Sequence, residues 1–367
     1  MSLPFYRALG LMSGTSLDGI DAALIETDGQ DHVRPLGGMD LPYDLSFRNS
    51  LRPLLGHKKG SADPLVKPIE EELTRRHASL VEAIIRKTGG LPDLIGFHGQ
   101  TLYHAPTEGL TIQIGDGALL ARLTGIPVVN DFRRLDIKAG GQGAPLVPLY
   151  HRALAATLPK PALILNIGGV ANVTWIGATG ELSAFDVGPG NALIDDWMLR
   201  HTGQGFDGSG ALAAQGTPDH PWIKTFLAHA FFSQKPPKSL DRDVFALAVP
   251  HHLTAADGAA TLTLMTAQGI AQALRHVPRL PERLFVTGGG RRNDTLMHWI
   301  AEVTALPTEP VEKLNWNGDM LEAEAFAWLA VRSVHGLPLS LPETTGVQYP
   351  TTGGSLHRAH EEITASV

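Results

Sequence analysis

The sequence predicts an α/β protein built from two similar halves, and three observations predict it. At 367 residues the chain is long for one domain, and 43% apolar content supplies two cores. Short apolar runs that read as strands alternate with amphipathic stretches that read as helices. One pattern of strand, small-residue loop, strand, turn and strand opens the chain and returns at residues 162–187.

Residues 8–12 read as a buried strand. Ser13, Gly14, Thr15 and Ser16 follow as a loop, and Asp18-Gly19 turns the chain into a second strand at 20–25. The loop offers more than a turn requires. Glycine lets backbone N–H groups approach an anion, and hydroxyls add donors. A carboxylate beside a phosphate implies a divalent cation between them. Asp28-Gly29-Gln30 makes the next turn and 32–41 a third strand. Residues 43–55 and 64–88 read as helices, the second with Leu73, Leu80, Val81, Ile84 and Ile85 on one face. A short strand at 94–97 ends in His98-Gly99-Gln100-Thr101. Another at 111–114 leads through Gly115-Asp116-Gly117 into a helix, and Val128-Val129 leads into Asn130-Asp131-Phe132-Arg133. Ligands of α/β sheets bind beyond the carboxyl ends of strands, so His98, Gln100, Thr101, Asp116, Asp131 and Arg133 are expected to share a cleft. Each alone reads equally well as a turn or cap residue.

The glycine-rich and proline-rich stretch 138–148 reads as a crossing between domains, with a helix after it at 149–156. The opening pattern then returns as strands at 162–167, 170–176 and 182–187, with Gly168-Gly169 as the first turn. Asp186 ends the third strand beside Gly188-Pro189-Gly190, and a helix follows at 192–201. A general base there must reach a water or hydroxyl within about 2.6–3.2 Å; the plainer role is to cap the loop or the next helix. Residues 235–242 form a rigid, partly basic loop, which either closes on a sugar or phosphate or connects helices. Residues 259–277 read as a packing helix. A strand at 283–286 leads into Gly288-Gly289-Gly290, a flat backbone against which a base or ribose would lie, with a helix N-terminus beyond it. Residues 320–335 read as a helix with Glu322 and Glu324 near its start.

Composition excludes several classes. The net charge of −7 argues against a nucleic-acid or anionic-membrane surface. With no cysteine there are no disulfides or thiolate metal sites. The sixteen histidines are scattered, and His251-His252 reads as a surface turn. No apolar run reaches the length of a membrane span, and residues 1–10 lack a signal-peptide core. A soluble, cytoplasmic protein is expected.

Eight motifs in series carry a resemblance: SGTSLDGID, FHGQT, IGDG, DFR with GGQGAPL, NIGGVANVT, FDVGPGN, PPKS and TGGGRRN. Together and in this order, over essentially the whole chain, they resemble the anhydro-N-acetylmuramic acid kinase family. The resemblance implies the fold of sugar kinases, actin and heat-shock ATPases: two ribonuclease-H-like domains with a cleft between them. The expected division is 1–137 with the tail from about 346 to 367, against 138–345, with Gly140 to Gly143 as a hinge.

The resemblance also implies the site. Gly14, Thr15, Ser16, Leu17, Asp18, Gly19, Ile20 and Asp21 would form the ATP phosphate loop, with Mg²⁺ at Asp18. Gly168, Gly169 and Asn172 would belong to a second phosphate loop, and Gly288, Gly289 and Gly290 to the adenosine site. Asp186 would be the catalytic base. His98, Gln100, Thr101, Asp116, Arg133 and Glu324 are the candidates for sugar contacts. The implied partners are ATP and a small anhydro amino sugar, with no nucleic acid or membrane and with a homodimer as the candidate assembly. The implied reaction opens the 1,6-anhydro bridge and phosphorylates O6, giving N-acetylmuramate 6-phosphate. A conventional sugar kinase acting on a free hydroxyl is the alternative. A chaperone-like ATP switch would need a peptide-binding domain for which no residues remain.

Overall fold

In the computed structural model, which describes residues 3–14, 16–240 and 242–359, both three-strand patterns fold as antiparallel meanders. In the first, β1 (Tyr6–Ser13), β2 (Gly19–Thr27) and β3 (Val33–Pro42) pair in sequence. β4 (Leu94–Ala105) adds parallel to β1, and β5 (Leu110–Ile114) folds back antiparallel on β4. β6 (Val128–Asn130) runs parallel to β4. In the second, β7 (Ala162–Ile167), β8 (Val170–Ile176) and β9 (Leu182–Pro189) form the meander. β10 (Leu284–Thr287) adds parallel to β7, and β11 (Thr308–Pro310) parallel to β10. A last strand, β12 (Ser355–His357), closes the first sheet antiparallel to β6. The orders are β3-β2-β1-β4-β6 and β9-β8-β7-β10-β11. This is one ribonuclease-H-like topology built twice, as the repeated pattern implied.

The units divide differently from the expectation. Residues up to Ala156 and from Met320 onward form one unit, and Thr157–Asp319 the other. The stretch 138–148 is therefore no crossing, and its glycines lie inside the first unit. Gly141 N–H and Gly143 N–H donate to Asp136 O and Oδ1, at 2.9 and 2.5 Å, and Gln142 N–H donates to Thr345 O at 2.7 Å. The helix Leu321–Val334, expected in the second domain, returns to the first sheet.

That return has a visible cause. Successive residues of β1 face opposite sides. Leu9 and Leu11 join the core under the helix Lys67–Thr88, with Leu73, Leu80 and Val81. Gly10 and Gly96, register partners on β1 and β4, receive the helix Leu321–Val334 directly. A Cβ on Gly10 would stand 1.7 Å from Ala323 O, and one on Gly96 2.0 Å from Phe326 O. The helix is secured at its far end by Trp328 Nε1–H to Gln30 O and Arg332 Nη1–H to Gly29 O, at 3.1 and 2.8 Å. In the second unit the helices Ala255–Ala273 and Asp294–Thr304 pack on the sheet. An aromatic cluster of Trp197, Phe226, Phe231, Phe232 and Phe245 lies on the other side of the first of these.

Candidate active site

The loop between β1 and β2 is held from beneath. Leu17 N–H donates to Gly14 O at 3.2 Å. Leu17 itself sits at φ 56°, in the left-handed region that costs a branched side chain, and its side chain is buried in the core. Asp18 O accepts from Tyr43 N–H at 2.9 Å, and Ser16 Oγ donates to Asp18 Oδ1 at 2.8 Å on the exposed rim. Leu17 and Ile20 are buried, so each offers a ligand only its backbone. Asp21 lies within β2 opposite Met12 and Asp40. Thr15 lies outside the described residues.

Beneath this loop is a buried polar chain that sequence reasoning missed. Ser13 Oγ donates to Gln100 Oε1 at 2.6 Å, which uses its one proton, so the Tyr43 O–H donates to Ser13 Oγ at 2.7 Å. Burial pushes the Tyr43 phenol up, with Asp18 and Asp21 adding to the effect, and keeps it a donor. Gln100 and Ser13 were expected as a strand-end contact and a loop residue. The loop reading of 98–101 is corrected: β4 runs on through His98, and β5 pairs back over Gln100 and Thr101, so all three lie inside β4.

His98 and Arg133 do come together. Arg133 Nε and Nη2 donate to His98 Nε2 at 3.2 and 3.1 Å, so Nε2 accepts and the proton is on Nδ1, which donates to Gly99 O at 2.7 Å. Burial first, then the Arg133 charge, pushes His98 down to about 3, so it is a neutral clamp on the guanidinium. Arg133 Nη1 also donates to Gly143 O at 2.8 Å. The Gly143 loop is in turn held by Asp136, whose Oδ2 accepts from Thr345 Oγ1 at 2.5 Å.

The remaining candidates of this unit each have a partner of their own. Asp116 caps the helix Gly117–Thr124, accepting from Leu119 N–H at 2.8 Å. Thr101 accepts from Gln113 Nε2 at 3.2 Å. Asp131 pairs with Arg134 at 3.3 Å. Glu324 is buried and accepts from Tyr150 O–H at 2.6 Å, and burial pushes its carboxyl up. Phe326, one helical step from Glu324, has its ring 4.5 Å from the His98 ring.

Three buried imidazoles set a pH dependence. Burial pushes His77 down to about 4 and His98 and His151 down to about 3. Each is neutral when folded and gains a proton on unfolding below about pH 6.5. The unfolded chain then binds more protons, so the stability present above that pH is lost as pH falls toward 4. The slope is up to about 1.4 kcal/mol per pH unit for each histidine. Urea midpoints measured from pH 7.5 to 5 should hold level down to about pH 6.5 and fall below it, and a flat series throughout would contradict this.

In the second unit Gly168-Gly169 forms the tight turn between β7 and β8. Their carbonyls accept from the chain just after β9: Asn191 N–H to Gly168 O at 2.8 Å and Gly190 N–H to Gly169 O at 2.9 Å. Asn191 Nδ2 donates to Ile167 O at 3.1 Å. Asp186 lies within β9 rather than at its end, directly opposite Asn172 on β8. Leu240 N–H donates to Asp186 Oδ2 at 2.7 Å, and Asp186 N–H to Lys238 O at 3.0 Å. The carboxylate is thus oriented by a backbone donor, and the N-cap of the helix Ala192–Thr202 is Asn191.

The three late glycines have separate reasons. A Cβ on Gly288 would stand 2.5 Å from Asn166 Oδ1, and one on Gly290 2.4 Å from Ile167 Cγ2, so both permit close packing on β7. A Cβ on Gly289 would meet nothing closer than Asn191 Nδ2 at 3.5 Å, so this is the open position. A short turn, Gly289–Arg292, separates the glycines from the helix Asp294–Thr304, whose N-terminus is capped by Asn293 at 2.9 Å. Arg291 Nη1 donates to Gly288 O at 2.9 Å, while its guanidinium pairs with Glu312 and Asp319, each at 2.8 Å.

Among the described residues no cluster of three or more His, Asp or Glu could hold a metal by itself, and no helix is long and apolar enough to cross a membrane.

Two units of one ribonuclease-H-like topology, each with a glycine-bearing turn in its first hairpin, define the class of sugar kinases and actin-like ATPases. The model of the anhydro-N-acetylmuramic acid kinase family matches residues 6–359. Relatives of that name include one from Rhizorhabdus wittichii, 54% identical over 96% of this chain and 98% of its own. One from Rhodospirillum rubrum is 49% identical over 98% and 96%, and one from Paramagnetospirillum magneticum is 53% identical over 95% and 99%. The chain belongs to the anhydro-N-acetylmuramic acid kinase family and is a kinase.

Proposed function

We propose that the chain couples two bond changes on 1,6-anhydro-N-acetylmuramic acid, using ATP and water to give N-acetylmuramate 6-phosphate and ADP, a step of peptidoglycan recycling. The observation that supports this most is Asp186, a carboxylate held by the Leu240 N–H at 2.7 Å and set opposite Asn172. The substrate's O6 is tied to C1 and carries no proton, so transfer to it requires the bridge to open. Asp186 takes a proton from water as the water oxygen bonds to C1. The C1–O6 bond breaks, and O6 takes the γ-phosphoryl group as ADP leaves. Catalysis then rests on placement and on charge held where it develops.

In this reading the loop from Gly14 to Asp21 offers backbone N–H groups and the Ser16 hydroxyl to the phosphates, with Gly168, Gly169 and Asn172 in the same role in the second unit. Gly289 is the open backbone for adenosine. Arg133, kept charged and aimed by neutral His98, is suited to the lactyl carboxylate of the sugar.

The exposed carboxylate of Asp18 fits Mg²⁺, which takes hard oxygens and is usually held by one or two carboxylates together with substrate phosphates. Bound there, Mg²⁺ would supply charge neutralisation at the phosphates. A reaction that consumes ATP suits an enzyme of the cytoplasm.

A product assay in ¹⁸O water tests the coupling. The anhydro sugar with ATP and Mg²⁺ should yield a phosphorylated sugar carrying ¹⁸O at C1 beyond anomeric exchange and none in the phosphate. Phosphorylation of free N-acetylmuramic acid alone, with nothing from the anhydro form, would instead identify a conventional kinase.

A further inference from the structure

Lys238 has no part in the reading above, yet its ammonium is carried indoors. The residue is 4% exposed, Nζ donates to Phe231 O at 2.9 Å, and it lies 4.3 Å over the centre of the Phe231 ring. Burying a lysine is costly unless its charge is met, so a lysine in this position needs a reason. The backbone supplies one. Lys238 O accepts from Asp186 N–H at 3.0 Å, and two residues on, Leu240 N–H donates to Asp186 Oδ2 at 2.7 Å. The 234–240 segment that makes both contacts belongs to no helix or strand. Irregular backbone of this kind has no ladder to fix it; Leu240 packs its side chain against the aromatic cluster, and Lys238 adds a polar tie to Phe231 of that cluster.

We propose that Lys238 is a positioning residue for the catalytic base. It locks the 238–240 segment so that the Leu240 N–H orients the Asp186 carboxylate, and its ammonium favours the anionic form of that carboxylate. The inference rests on the reading of Asp186 as the base. Electrostatics agree with the geometry. Burial pushes the Lys238 ammonium down to about 8, and the Asp186 charge opposes that fall. The turn carrying Phe231 contributes one further titratable group, His229, whose Nδ1 accepts from Phe231 N–H at 3.2 Å.

The test compares Lys238→Met, which keeps length and apolar stem, with Lys238→Arg, which keeps charge. Turnover, both KM values, the pH profile of kcat and thermal unfolding are measured, with Asp186→Asn in parallel. Lys238→Met should lower kcat at least about tenfold, within the range of a general-base contribution, with the ATP KM within about twofold. Loss of the ammonium should also move the acid limb of kcat to higher pH, a change that packing alone would not produce. Lys238→Arg should return the acid limb to its wild-type position. If Lys238→Met does not fold, Lys238→Gln, which keeps a donor for Phe231 O without the charge, carries the same comparison. Wild-type kcat and an unmoved acid limb in Lys238→Met, while Asp186→Asn is inactive, overturns the inference alone. Near-normal turnover in Asp186→Asn overturns the base assignment and the inference together.

Discussion

Asp186→Asn should lower kcat by about 10²–10⁴-fold, the range of a positioned general base. The substitution is close to isosteric, and the amide oxygen can still accept the Leu240 N–H that now binds Oδ2 at 2.7 Å. The Leu240 contact is therefore preserved, while basicity and the charge beside the buried Lys238 are removed. Nucleotide affinity, read by calorimetry with ADP, should stay within about twofold. Turnover close to wild type would rule out Asp186 as the base.

Gly96→Val carries a large expected cost to stability. A Cβ at Gly96 would meet Phe326 O at 2.0 Å and Phe326 C at 2.6 Å, which are backbone atoms of a helix rather than a yielding side-chain tip. The helix Leu321–Val334 would have to lift away from β1 and β4, exposing Phe326, Trp328 and Leu329, which are all buried. Overpacking typically costs about 1–3 kcal/mol; with backbone on one side and a β-branched side chain on the other, about 3 kcal/mol or more is expected. Gly205→Ala is the control, because a Cβ there meets nothing within 4 Å, and it should change stability by less than about 0.5 kcal/mol. Urea unfolding of both variants checks this, and a Gly96→Val midpoint matching that of Gly205→Ala would refute the close-packing argument.

Much of the first hairpin's loop was legible because its signals are local. Gly168-Gly169 turns the chain between β7 and β8 as expected, whereas in the first hairpin the turn closes before Asp18-Gly19, with Leu17 N–H on Gly14 O, and Gly19 already opens β2. Polar residues were harder to place. His98, Gln100 and Thr101 read as a loop because the apolar run before them stops at Phe97. They are strand because β4 runs on past Phe97 and β5, some ten residues further on, pairs back over Gln100 and Thr101. Asp116 carried the same kind of signal and turned out to cap a helix. Tyr43 and Asp136 carried no signal at all. Their importance lies in partners 30 and 209 positions away, Ser13 and Thr345.

The sequence by itself determined the class and the family of this protein. It also determined the doubled strand pattern and the two glycine turns, because apolar runs, turn dipeptides and ordered motifs act within a few residues. Only the tertiary structure decided where the units divide, which side chains reach one another, and what holds Asp186. The helix Leu321–Val334 joins the first unit because two glycines, Gly10 and Gly96, open a face of that sheet to its backbone. The Asp186 carboxylate is aimed because Leu240, 54 positions later, brings its N–H to it. Burial and hydrogen-bond pairing are satisfied between surfaces that meet only on folding, and no local pattern in the chain encodes which surfaces those are.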